Sequence, residues 1–275
     1  MPRFAANLTM LYNELPFLDR FAAAAQSGFQ AVEFLFPYDF AAEDIAQRLT
    51  DNGLQLVLHN LPAGNWAGGE RGIACHPDRV SEFRDGVQMA LEYAAVLNPP
   101  QINALAGIAP AGVSEADARR TLVGNLKFAA ETLGERGIRL LMEPINTVDI
   151  PGLFVNRTAQ ALAIMDEVGS PNLYLQHDIY HAQRMEGELA ATLKQQLARI
   201  GHIQLADNPA RNEPGTGEIN FRFLFDQLDA LGYTGWIGCE YKPKDSSPGG
   251  TDAGLGWVAA HGQTLQKHQP EETTA

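Results

Sequence analysis

Four oxygen-bearing side chains stand at the ends of four apolar runs: IRLLME closes on Glu143, LYLQHD on Asp178, GHIQLA carries Gln204 and GWIGCE closes on Glu240. Two glutamates, an aspartate and an amide oxygen form a hard-donor set suited to Mg²⁺ or Mn²⁺, whereas a structural zinc site calls for cysteine and histidine. Glutamine is a weak ligand, so an ion in this set is expected to be loosely held or dispensable. The same glutamates offer a second chemistry. If Glu143 and Glu240 face each other across a pocket, one can take a proton from a small substrate and the other can return one, provided burial or mutual repulsion raises a carboxyl pKa. Each acid alone is as readily a helix N-cap or a solvated loop charge, and an ion pair with Arg71, Arg211 or Lys242 remains open. Four in consecutive units favour a site.

His59, His177, His181 and His202 lie at or near the ends of such runs. His181 stands three residues past Asp178, within reach of a substrate hydroxyl. His202 alternates with Gln204 and shares its face, while His177 should point toward the helices. A histidine near a strand is more often a core or supporting group than a catalyst. Arg71, Arg211 and Lys242 are cations able to hold a substrate carboxylate, with solvated loop charges as the common alternative. In GHIQLADNPARNEPGTGEINF, His202, Gln204, Asp207 and Arg211 are more polar than a packing strand requires. There is no nucleophile elbow and no P-loop; Cys239 should point outward, and Cys75 is read as passive.

These residues need a scaffold that brings strand ends together. Eight β-prone runs recur, beginning at Arg3, Ala31, Leu54, Gln101, Ile138, Leu173, Gly201 and Gly235. Between them lie segments such as VSEFRDGVQMALEYAAVL and FRFLFDQLDALG with helical apolar spacing and often a closing glycine. This alternation predicts an α/β fold, a closed (β/α)8 TIM barrel spanning residues 1–262, with 263–275 as a flexible tail. A doubly wound sheet gives similar alternation, but no G-x-G-x-x-G follows the first run. In a barrel, strand ends ring one mouth, and the fifth and eighth strands face each other across it. The glycine-rich NLPAGNWAGGERGIACHP reads as a lid.

Composition narrows the function. A formal net charge of -13 over 275 residues counts against a nucleic-acid partner. The start lacks a secretory pattern and no run reaches membrane-span length, so a cytoplasmic protein without membrane association is expected. The two cysteines read as free thiols. A homo-oligomer through the outer helices is left open.

HNLPAGNWAGGERGIACHP, MEPIN, DIYHAQRMEGEL, GHIQLADNPARNEPGTGEINF and GWIGCEYKP resemble the hydroxypyruvate isomerase family of the xylose-isomerase-like barrel superfamily, over Arg3 to Trp257. The resemblance implies interconversion of hydroxypyruvate and 2-hydroxy-3-oxopropanoate by enediol proton transfer between Glu143 and Glu240, without NAD, flavin or PLP. It implies a divalent-cation site of Glu143, Asp178, Gln204 and Glu240, and substrate contacts from His181 and Arg211. His59, Arg71, His202 and Lys242 complete the substrate-binding candidates. Larger-ketose relatives carry histidine where this chain has Gln204. Four-carbon 2-oxo-tetronate isomerases share MPRFAANL, AVEFLFPY and GWIGCEYKP and rank second, with a sugar-acid epimerase as a variant. More distant readings are an endonuclease IV-like repair enzyme and a non-catalytic sugar-acid-binding barrel.

Overall fold

Eight parallel strands follow one another around a closed barrel: β1 (Arg3–Asn7), β2 (Ala31–Glu33), β3 (Gln55–Asn60), β4 (Gln101–Ala104), β5 (Arg139–Met142), β6 (Leu173–Asp178), β7 (Ile200–Leu205) and β8 (Trp236–Cys239). The last strand closes on the first in the register Arg3↔Trp236 to Ala6↔Cys239. In this computed structural model, residues 1–265 are described; most of the expected tail, 266–275, lies outside them. Of its first residues, Gln263 is buried and Leu265 packs on the core beside Gly28.

The helices are α1 (Arg20–Gln26), α2 (Ala42–Asp51), α3 (Val80–Leu97), α4 (Glu115–Gly134), α5 (Thr158–Val168), α6 (Ile179–Met185), α7 (Leu189–Gln196), α8 (Phe221–Ala230), α9 (Gly250–Gly254) and α10 (Gly256–Ala260). The expected (β/α)8 barrel is what the chain forms. The main apolar core lies between strands and helices, because the outward side of each strand and the apolar stripe of each helix leave water together. Cys239, Ile203 and Leu205 belong to that layer, as alternation from inward Glu240 and Gln204 requires. AVEFLF gives a strand of only Ala31–Glu33, since the β2–β3 register shifts between Val32 and Glu33 and Phe34 packs in the outer core.

The inward positions change character along the barrel. Ala5, Ala31, Val57, Leu58 and Leu141, with Tyr174 and Trp236, fill the amino-terminal end. Two residues further along the same faces stand Asn7, Glu33, Asn60, Gln176 and Gly238, and the next inward residues of β6 and β8 are Asp178 and Glu240. A packed apolar plug thus underlies a polar layer, and the acids stand above that.

Gly238 is required by this layering. A Cβ there would collide with both carboxylate oxygens of Glu33, a side chain locked by three hydrogen bonds. Gly238→Ala should cost about 1–3 kcal/mol as an overpacked core position, read as a lower urea midpoint. Gly124 is a useful contrast: it is exposed within α4, and a Cβ at that position would meet no atom within 4 Å. Gly124→Ala should raise stability by roughly 0.5–1 kcal/mol.

Candidate active site

Glu143 and Glu240 are each the first residue past a strand end, and both are buried. Asp178 ends β6 and caps α6, its Oδ1 accepting the backbone N–H groups of Tyr180 at 2.7 Å and His181 at 3.1 Å. The capping role and a site role therefore use different oxygens of one carboxylate. One ligand atom from each of Glu143, Asp178, His181 and Glu240 falls within 4.8 Å of the others. His181 Nε2 is 3.8 Å from Glu143 Oε1 and 3.9 Å from Asp178 Oδ2.

So many acids in one buried place repel. Burial raises the Glu143 pKa well above the ordinary carboxylate range, and the neighbouring Glu240 and Asp178 add to the rise while Arg211 opposes it. Burial likewise pushes Glu240 up to about 8, against the opposing pull of Arg211 and with further push from Asp178 and Glu33. Arg211 Nη2 donates to Glu240 Oε2 at 2.6 Å. Burial alone would lower the Arg211 pKa, but Glu240, Asp178, Glu143 and Asp149 outweigh it and the cation is held more tightly than usual. Of the ion pairs left open by the sequence, the one with Arg211 forms, and it is part of the acid cluster rather than an alternative to it.

Glu143 Oε1 and Asp178 Oδ2 are buried without a hydrogen-bond partner among the described residues. Buried acceptors left in this way are costly unless a proton, a water or a cation meets them. Their hard oxygens, aimed into one small space, fit a divalent ion.

Gln204 lies on β7 beside Asp178 in the register. Its Nε2 donates to Glu33 Oε1 at 2.7 Å and its Oε1 accepts from Gln176 Nε2 at 2.6 Å. An amide oxygen has two lone pairs, so one remains for a further partner. His202 shares the Gln204 face, as alternation predicts, yet its Nε2 lies 2.6 Å from Glu33 Oε2, in the layer beneath the acids. Asn7 donates to Glu33 at 2.9 Å and reaches Glu240 at 3.5 Å. Glu33, fully buried, is the hub of this layer.

The other candidate substrate contacts lie elsewhere. His59 is a buried ring stacked on Phe34 at 6.5 Å, with Nδ1 facing the Asn60 carbonyl oxygen at 3.1 Å. Burial takes its pKa down to about 4, so it is a neutral core group. Arg71 lies 4.2 Å over the Trp66 ring and donates to the Trp66 and Glu70 carbonyls, which ties it to the lid. Lys242 has an exposed side chain, and its contacts here are through the main chain, with Arg211 O and Asn212 Nδ2. Asp207 accepts the backbone N–H groups of Asn208, Gly215, Gly217 and Ile219 and organises the loop after β7.

The sequence reading missed Glu33, Asn146, Asp149 and Tyr180. Asp149 accepts from the Tyr180 hydroxyl at 2.9 Å and approaches Arg211 Nη1 at 3.8 Å, while the Arg211 guanidinium lies 5.3 Å from the Tyr180 ring centre. A charge inside the apolar AVEFLF was the available signal for Glu33. Arg211 also has a left-handed backbone, with φ 58°, which turns its side chain back over the mouth.

A family model described as xylose isomerase-like TIM barrel matches residues 21–261. The chain is 54% identical over 258 residues to the hydroxypyruvate isomerase of Escherichia coli, covering 94% of this chain and 98% of that protein. It is 53% identical over 258 residues to the 2-oxo-tetronate isomerase of Cupriavidus necator, again covering 94% and 98%. Among solved structures, it is similar to a Brucella melitensis protein described as AP endonuclease, family 2, with 44% identity, a TM-score of 0.90 and coverage of 94% and 99%.

The raised carboxyl pKa values have a thermodynamic sign. A group that titrates at about 8 in the folded chain against an ordinary 4.5 binds its proton more tightly when folded. That stabilisation is full below the unfolded value and is lost as pH rises through the folded one. With chelator present, the unfolding temperature should fall between about pH 5 and about pH 8, and Glu240→Gln should flatten the slope. A saturating divalent cation should raise the unfolding temperature most at the alkaline end, which scanning calorimetry with and without the ion reads directly.

Proposed function

The chain belongs to the xylose isomerase-like TIM barrel family and is an isomerase of the aldose-ketose type, and we propose that it interconverts hydroxypyruvate and 2-hydroxy-3-oxopropanoate. The observation that carries this reading is the approach of Glu143 and Glu240 carboxyl oxygens within 4.8 Å, close enough for both to touch one three-carbon molecule. One carboxylate takes a proton from C3, giving an enediolate whose negative charge spreads to the C2 oxygen. The hydroxyl proton passes from the C3 oxygen to the C2 oxygen, and a carboxyl group returns a proton to C2. Atoms and charge balance, and no electron carrier is consumed.

Arg211 draws the Glu240 pKa down against the push of burial, so Glu240 is the more readily ionised of the two and suits the base, whereas Glu143 lacks a direct cation and suits the acid. His181 Nε2 faces the same space and can donate to the C2 oxygen as charge develops there. Arg211 is also the best-placed cation to meet the substrate carboxylate, by exchanging part of its contact with Glu240. Glu143, Asp178, Glu240 and the second lone pair of Gln204 Oε1 would hold a divalent cation, Mg²⁺ or Mn²⁺, which when bound would polarise the substrate oxygens. The lid carrying Trp66 would screen the enediolate from water. No helix among the described residues is long and apolar enough to cross a membrane.

The 53% identity to a 2-oxo-tetronate isomerase favours a four-carbon substrate as the second reading. A phosphodiester substrate is disfavoured by the formal net charge of -13.

Proton NMR in heavy water, with each 2-oxo acid and with or without chelator, tests the scheme. Hydroxypyruvate should convert with solvent deuterium entering at carbon; conversion of the four-carbon acid alone would move the assignment to the second reading. Glu143→Gln and Glu240→Gln should each lower kcat by about 10²–10⁴. Full turnover in either variant would overturn the two-carboxylate mechanism. Arg211→Met should raise KM by roughly 10-fold or more, the loss expected for a charged hydrogen bond.

A further inference from the structure

We propose that Asn146 is a positioning residue that locks His181 as the Nε2–H tautomer, so that the ring presents a proton donor to the carboxylate cluster instead of a metal-binding lone pair. The role of that donor in turnover rests on the isomerase reading above, whereas the tautomer follows from hydrogen bonds alone.

Asn146 is fully buried, and its Oδ1 accepts two backbone N–H groups, Val148 at 3.0 Å and Asp149 at 2.8 Å. Turning the amide around would break both bonds and set its NH2 against two donors. Its orientation is therefore fixed by the chain that follows it. With Oδ1 so held, the two Nδ2 hydrogens face Asp149 Oδ2 at 3.2 Å and His181 Nδ1 at 2.6 Å. An amide nitrogen only donates, so Nδ1 must accept, and a neutral imidazole that accepts at Nδ1 carries its proton on Nε2. A ring that accepts at Nδ1 is not an imidazolium, so His181 is neutral in this arrangement.

The consequence lies on the other side of the ring. His181 Nε2 stands 3.8 Å from Glu143 Oε1 and 3.9 Å from Asp178 Oδ2, too far for a hydrogen bond to either. The donor is buried and aimed into the cluster without being consumed by it, as a group reserved for a substrate oxygen would be. Proximity alone would count His181 among the ligands of a cation; its protonated Nε2 excludes it while this tautomer persists. Asp149 adds a second link, since it binds the Tyr180 hydroxyl at 2.9 Å and approaches Arg211 at 3.8 Å. The donor and the cation expected to meet the substrate carboxylate thus share one anchoring loop.

Long-range proton–nitrogen NMR of ¹⁵N-histidine protein, with His181 assigned by its loss in His181→Gln, reads the tautomer without turnover. The Nε2–H pattern is expected with and without Mg²⁺; an Nδ1–H pattern, or loss of the Nε2 proton on adding Mg²⁺, would overturn the assignment. Asn146→Asp keeps an acceptor for the two backbone amides but sets a carboxylate oxygen against Nδ1. It should move the ring proton to Nδ1 and lower kcat about 10²-fold or more with KM within about 3-fold. A switched tautomer with unchanged kcat would overturn the positioning role. An Nε2–H ring in a wild-type protein inactive on both 2-oxo acids would support the tautomer while sinking the substrate reading.

Discussion

Three carboxyl groups and one imidazole are held within 4.8 Å of one another inside a protein wall, and the rest of the molecule is organised by the need to tolerate that crowding. Free carboxylates this close would repel strongly where water cannot screen them. Three compensations are visible. Arg211 takes one oxygen of Glu240; two backbone amides at the start of α6 take one oxygen of Asp178; Glu143, with no cation in direct contact, is pushed toward its neutral form. What remains are acceptors turned toward a common space, the condition for holding a proton or a cation and passing protons to a guest.

The compensation extends downward. Glu33 ties Asn7, His202 and Gln204 into one buried network, and Asn7 and Gln204 belong to strands that also present the acids or flank them. By accepting from Gln204 Nε2, Glu33 fixes which way round that amide sits. A buried network of this kind is favourable only when its members are satisfied; Gly238 contributes by having no side chain where the Glu33 carboxylate must sit. The barrel's stability and the arrangement of its mouth therefore depend on the same residues.

Much of this was legible because strand alternation and strand order are strict. The acid at the end of IRLLME, LYLQHD or GWIGCE had to face inward once the barrel was inferred, and His202 had to share the Gln204 side. His59 shows where the rule weakens: the β2–β3 register shifts at Val32/Glu33, and a ring read only as lying near a strand end packs against Phe34 instead. Arg71 and Lys242 were chosen by position in loops, where no period directs a side chain. Asp207 looked like a site residue and is a loop organiser, because four backbone amides converge on it in a way no spacing discloses. Asn146 and Asp149 were invisible for a related reason. Their importance lies in which atom faces which, and residue type alone does not specify that.

The plug of Ala5, Ala31, Val57, Leu58 and Leu141 seals the end of the barrel opposite the acids, so the chamber is a cup with a single rim. Reactant and product must use the same doorway and leave by the path on which the next molecule arrives. Each therefore competes with the other for entry.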